Sequence, residues 1–238
     1  MIRRYIPDFI TSMNLVCGVI GVVFTFSGRI DLAFYMMLAA AVFDFCDGLA
    51  ARTLHAYSDF GKELDSLCDL VSFGVLPSVM LYCTAKACSF GNSWVCWSAL
   101  LIAVFSGLRL AKFNIDPRQT SGFLGLPTPA CAILVAALCY FVAFDPTSFA
   151  GIWMSGPVFV PALVVCLCAL LVCEIPMFSL KMHKDDPRAL KVKRIAMLAV
   201  VVIAVLLCLI FHLNWSLAVV IVFASYIIKN IVYLIAKV

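Results

Sequence analysis

Apolar runs follow one another along the whole chain, cut by short polar stretches. A bilayer-crossing helix needs about 20 predominantly apolar residues. On that measure the pattern predicts eight helices, near 9–27, 32–51, 65–84, 94–113, 127–144, 157–179, 195–212 and 214–235. The interruptions fall at 28–31, 52–63, 86–93, 116–125, 145–156, 181–194 and 212–214. Every connection is short, so the pattern predicts one integral membrane domain over 1–238 and no separate soluble domain. The first apolar stretch is interrupted by Asn14 and lacks a clear cleavage site, so it reads as a span and not as a signal peptide. The expected fold class is an all-α, polytopic membrane helix bundle.

Composition agrees. The 238 residues are 65% hydrophobic and 13% charged, whereas a soluble domain averages roughly 45–50% apolar and about 25% charged. This excludes a disordered chain, a basic nucleic-acid-binding domain and an ordinary cytosolic enzyme. The 12 cysteines scatter through the apolar runs. They form no C-x-x-C pair and no cluster with zinc spacing, so they read as small apolar residues.

The net charge of +4 matters less than its distribution. With eight spans, Arg29 and Lys86 fall on one side and the other 15 lysines and arginines on the opposite side. So uneven a split predicts that both termini face the cytosol. The segment 181–194 is the most charged loop and reads as a topogenic cytosolic loop.

The acids change the picture further. Asp31, Asp116, Asp145, Asp185 and Asp186 fall in loops, but Asp44, Asp47, Asp65 and Asp69 fall at the cytosolic ends of spans two and three. An ionisable group within a span is costly and points to function. Asp44 and Asp47 are spaced i, i+3, and Asp65 and Asp69 i, i+4, so each pair shares a helix face. A short linker makes the two helices antiparallel neighbours, and all four carboxylates can converge between them. Four such charges need a cation, and a carboxylate-only set suits Mg²⁺, Mn²⁺ or Ca²⁺. Two such ions form the clamp used in phosphoryl transfer. Gly48 and Ala51 leave room for a ligand beside the helix. Arg52, one turn beyond Gly48, can meet a phosphate bidentately. Gly61, one turn before Asp65, can open the third helix or leave ligand space.

These residues form the run Asp44-x-x-Asp47-Gly48-x-x-Ala51-Arg52-x8-Gly61-x-x-x-Asp65-x-x-x-Asp69. It resembles the signature of the CDP-alcohol phosphotransferases at every fixed position. Five flanking runs resemble the serine-using branch found in bacteria and archaea. They are Ile6-Pro7 through Asn14-Leu15-x-Cys17-Gly18, Asp69 through Ser72-Phe73-Gly74-Val-x-Pro77, Leu108-Arg109 through Lys112-Phe113-Asn114, Gly125-Leu126-Pro127-x-Pro129, and Ile175-Pro176 through Ser179-Leu-Lys181. Arg is commoner in the family pattern where this chain has Lys112. The resemblance covers about 3–181; the last two spans, near 195–235, are additional to it.

The resemblance implies a six-helix core, a homodimer, and a cytosol-facing site in a bacterial inner membrane. It implies metal-dependent transfer of a phosphatidyl group from CDP-diacylglycerol to the hydroxyl of L-serine, with release of CMP. Asp44, Asp47, Asp65 and Asp69 are then the metal ligands. Asp44, Gly48, Ala51, Arg52, Gly61 and Asp65 border the CDP and its phosphates, and Asp69 is the general base. Serine-binding candidates are Arg109, Lys112 and Arg118 for the carboxylate, with Asn14 and Ser72 as polar groups within spans. His55 lies outside the fixed positions and reads as an exposed loop residue. Two alternatives remain: a related enzyme using glycerol 3-phosphate or an inositol phosphate, which needs a denser basic pocket, and a divalent-cation transporter, which needs acids spread across the membrane depth.

Overall fold

The computed structural model describes residues 5–89, 93–116, 123–177 and 214–235. It is an all-α bundle. Helix α1 (Tyr5–Phe26) and α2 (Ile30–Thr53) form an antiparallel hairpin. Their turn passes through Gly28, whose φ of +76° few other residues adopt. Helix α3 runs from Asp59 to Cys88 and carries a π-helical segment at Leu70–Val75. A 3₁₀ segment, Ser93–Leu100, leads into α4 (Leu101–Ile115). Then come α5 (Thr128–Phe144), α6 (Phe149–Ser155), α7 (Phe159–Val172) and α8 (Trp215–Ile235).

The helices are ordered by what they turn inward. The buried residues of α1 are Pro7, Thr11, Asn14, Gly18, Gly21 and Thr25. Their three- and four-residue spacing makes one inward stripe of small and polar side chains. Phe9, Val19, Val23 and Phe26 face outward and are exposed. This is the arrangement expected where lipid is the solvent and small residues let helices approach closely. At Gly18 a Cβ would lie 2.5 Å from Ser72 Oγ, and at Gly21 2.7 Å from a Leu76 methyl, so α1 presses directly on α3. Helix α3 is the centre of the bundle: 67% of its most apolar stretch is buried, against 28% for α1 and α2.

Among the described residues, four helical stretches are long and apolar enough to cross a membrane: α1, α2, α3 and Trp94–Ile115. A fifth is added if α5 and α6, bent by 101°, count as one span. The predicted break over 145–156 therefore contains a short helix, capped by Ser148. The sixth predicted helix, 157–179, ends at Val172, after 14 residues. Beyond it the chain is extended, and Pro176–Met177 pairs antiparallel with Phe123–Leu124. Pro176 accounts for the early end, because a residue before proline disfavours the helical region. Gly125 completes this junction: its φ is +76°, and a Cβ there would stand 2.7 Å from the Cys173 carbonyl oxygen. The predicted span at 195–212 and the charged segment 181–194 lie outside the described residues.

Candidate active site at one end of the bundle

The site forms where the end of α2 meets the start of α3. Ser58 caps α3, its Oγ accepting from Gly61 N at 2.9 Å, and the helix starts back packed mainly against α1 with Asp65 facing α2. One carboxylate oxygen from each of Asp44, Asp47 and Asp65 then lies within 4.8 Å of the others. At such a separation each pair of full charges repels by about 3 kcal/mol at an effective dielectric of about 20. Asp47 Oδ2 and Asp65 Oδ1 are buried and have no hydrogen-bond partner among the described residues. Bare oxygens converging in an all-carboxylate set fit a hard divalent cation.

Asp69 stands apart from that set. It lies one turn farther along α3, where the helix passes into its π segment. It remains within electrostatic reach of Asp44, Asp65 and Asp47. Asn14 Nδ2 donates to its Oδ1 at 3.1 Å, and Ser72 Oγ donates to the Asn14 carbonyl at 3.0 Å. The structure therefore brings three acids together and holds the fourth beside them by an amide from α1.

A cavity of about 220 Å³ adjoins the cluster, lined by Asp47, Gly48 and Ala51 from α2, Gly61, Lys62 and Asp65 from α3, and Asp8 and Thr11 from α1. Gly48 opens into free space, because a Cβ there would meet only an Arg52 guanidinium nitrogen, 4.0 Å away. Arg52 is exposed at the helix end, and its Nε donates to the Gly48 carbonyl at 2.9 Å. Gly61 has a different reason for being glycine. Its missing Cβ would lie 2.8 Å from Asp8 Oδ1 and 2.9 Å from Ser58 Oγ, so it admits Asp8 to the wall.

The basic candidates separate. Arg109 is buried, donates from one terminal nitrogen to Thr128 Oγ1 at 3.1 Å, and lies 5.1 Å over the Phe113 ring. It interacts electrostatically with Asp69, and its Nε has no partner among the described residues. Lys112 instead pairs with Glu174 at 2.9 Å and is partly exposed. Arg118 lies outside the described residues. His55 is exposed, adopts φ +50° in the linker and does not line the cavity.

Sequence reasoning missed Asp8, Thr11 and Lys62 as wall residues. A signal was present for the first two: Asp8, Thr11 and Asn14 recur every third residue on an otherwise apolar helix. Lys62 has no such signal. Its Nζ reaches the Asn114 carbonyl at 3.1 Å, and Asn114 Nδ2 reaches Ser66 Oγ at 2.8 Å, ties between α3 and α4 that only the fold creates.

A model of the CDP-alcohol phosphatidyltransferase family matches residues 4–165. Among curated proteins, the CDP-diacylglycerol–serine O-phosphatidyltransferase of Bacillus subtilis is 38% identical over 137 residues, covering 58% of this chain and 76% of that one. The enzyme of the same name from Methanocaldococcus jannaschii is 35% identical over 137 residues, covering 58% of this chain and 61% of its own. That of Mycobacterium leprae is 34% identical over 211 residues, 86% of this chain and 68% of its own.

Proposed function

The chain belongs to the CDP-alcohol phosphatidyltransferase family, and from that premise we propose that it transfers the phosphatidyl group of CDP-diacylglycerol to the hydroxyl of L-serine, giving phosphatidylserine and CMP. The observation that carries the reading is the convergence of Asp44, Asp47 and Asp65 beside a cavity flanked by the open face of Gly48. Relatives sharing 34–38% identity bear the serine-specific name.

Asp44, Asp47 and Asp65, with Asp69 as the fourth acid, are the residues to hold two divalent cations, Mg²⁺ or Mn²⁺. Bound there, such ions neutralise the pyrophosphate and stabilise the charge that develops on the leaving phosphate. Gly48 and Ala51 leave the backbone of α2 open to the nucleotide, and Gly61 borders it from α3. Arg52, at the exposed end of α2, is placed to meet a phosphate oxygen. Asp69 accepts the proton of the serine hydroxyl as that oxygen attacks the phosphorus bearing the diacylglycerol, and CMP departs. Arg109 takes the serine carboxylate; Lys112 and Arg118 are lesser candidates, Lys112 because Glu174 already holds it. Ser72 is committed to the Asn14 carbonyl and supports the site indirectly.

A phosphate-bearing acceptor is disfavoured. Among the described residues lining the cavity, Lys62 alone is cationic. A transporter is disfavoured too, because among the described residues the clustered acids gather toward one end of α2 and α3 and form no path through the bundle. The active end faces the cytosol of a bacterial inner membrane, where serine arrives from water and the lipid from the bilayer. A homodimer is the working form. The catalytic core spans about 1–181, and the spans near 195–235 belong to the same single membrane domain. The test is CMP release from CDP-diacylglycerol over a panel of alcohols with Mg²⁺ or Mn²⁺. Stimulation by serine is expected, and stimulation by glycerol 3-phosphate instead overturns the reading.

A further inference from the structure

Asn14 holds an acceptor that no described residue satisfies. It lies on the inward stripe of α1 with no solvent exposure. Its Nδ2 donates to Asp69 Oδ1 at 3.1 Å. An ionised carboxylate only accepts, so the amide nitrogen must face it and Oδ1 must turn elsewhere. That oxygen is buried without a hydrogen-bond partner among the described residues. The backbone that carries the amide is held in place. The main-chain carbonyl of Asn14 accepts from Ser72 Oγ at 3.0 Å, and Gly18, one turn on, leaves room for that same hydroxyl. Asp44 and Asp47 of α2 also act on Asp69, as like charges, and the cation acting on it from a neighbouring helix is Arg109, also buried, whose Nε is likewise unpaired among the described residues.

Asp69 thus has a bare acceptor on one neighbour and a bare guanidinium donor on another. A zwitterionic amino acid has the complementary groups: an ammonium that donates three hydrogens and a carboxylate that only accepts. A simple alcohol has neither. A site built to bond a polar group rejects an analogue lacking it, because its own buried groups are left unpaired.

We propose that Asn14 sets the enzyme's preference for an amino-acid acceptor, its Oδ1 accepting a hydrogen bond from the acceptor's ammonium while its Nδ2 positions Asp69 for the hydroxyl proton. The proposal rests on the serine reading above and adds to it the residue that recognises the amine.

The experiment uses the full chain with CDP-diacylglycerol and compares L-serine with 3-hydroxypropionate, which is serine without its amine. In Asn14→Leu the KM for serine rises about 10- to 100-fold, the range for a hydrogen bond to a charged group. The inhibition constant of 3-hydroxypropionate moves less than about threefold on the same reasoning. Asn14→Asp keeps an acceptor and loses the donor to Asp69, so its kcat falls while its preference for serine over 3-hydroxypropionate remains. This variant carries the test if Asn14→Leu does not fold. Equal losses for the two ligands in Asn14→Leu, or loss of the preference in Asn14→Asp, overturn the proposal and reduce Asn14 to a packing residue. Failure of serine to stimulate CMP release from the parent overturns the serine reading itself, and that outcome is visible before any variant is made.

Discussion

The two ends of the bundle are built from the same helices and hold opposite kinds of cavity. At one end, where α2 closes and α3 opens, about 220 Å³ is walled by acids, glycines and hydroxyls. At the other, about 750 Å³ is walled largely by apolar side chains, among them Ile30, Val142, Ala143 and Ile152, with Thr84, Cys83 and Cys88 between them. Beside that end Phe34, Tyr140 and Trp215 stack with ring centroids 5.2–5.7 Å apart. Among the described residues that line the larger cavity there is no acid, and its one buried unpaired side-chain atom is the neutral Thr84 hydroxyl. Size therefore does not mark the site. Convergent, unsatisfied charge does, because only a ligand offsets its cost.

The comparison breaks first at the acids. Asp47→Asn or Asp65→Asn is expected to lower CMP release about 100- to 1,000-fold, as when a group acting on transition-state charge is removed. Helical content by circular dichroism should be unchanged, because each substitution relieves repulsion among Asp44, Asp47 and Asp65. Retention of more than a tenth of the parent rate would remove these acids from the chemistry. Divalent ions give the second arm. Chelation should abolish turnover and Mg²⁺ or Mn²⁺ restore it. At about 100 times its Kd the ion should raise unfolding stability by about 2.7 kcal/mol in the parent, and by less in the Asp47→Asn variant.

Two glycines sharpen the contrast between ligand space and packing space. Gly48→Ala adds a methyl where the nearest atom stands at 4.0 Å, so the protein should fold. Its α2 gains about 1 kcal/mol of helix propensity. CDP-diacylglycerol affinity should nevertheless fall about tenfold, or about 1.4 kcal/mol, the order of one methyl overpacked against a bound group. Gly18→Ala drives a methyl to 2.5 Å from Ser72 Oγ and 3.0 Å from the Ser72 backbone, so it should destabilise by about 1–3 kcal/mol, as overpacking does. Thermal unfolding and ligand titration of the pair separate the two cases. Loss of fold in Gly48→Ala with none in Gly18→Ala would reverse the assignment.

Much of this contrast was legible in the sequence for a physical reason. Against so apolar a chain, Asp44, Asp47, Asp65 and Asp69 stood out, and helical spacing put each pair on one face. Gly48 was readable as open space from its place beside Asp47, and Gly61 as an opening one turn before Asp65. What was not readable is the neighbour that makes Gly61 a glycine, Asp8 arriving from α1, a contact between residues 53 positions apart. Lys112 looked like a free cation until the fold brought Glu174 to it. The short α6 and the early end of α7 were invisible to hydropathy, which registers apolar length and not the 101° bend after Phe144 or the extended pairing at Pro176. Arg109 was visible as a charge within a helix, but its burial against Thr128 and Phe113 needed the packing of α4 on α5.

The smallest expected effect lies at the far cavity, where a hydroxyl can be removed without changing shape. Thr84 is buried, lines that cavity and sits beside Cys139. Thr84→Val replaces its hydroxyl by a methyl of similar size. If this end only packs, CMP release and the KM for serine should stay within about twofold, and stability should not fall, because the buried Thr84 hydroxyl has no hydrogen-bond partner among the described residues. Nothing that happens at Asp69 runs through Thr84, which lies about four helical turns along α3. A tenfold loss of turnover with an unchanged unfolding midpoint would therefore mean that the apolar end takes part in substrate handling, and the division between a reacting end and a packing end would fail.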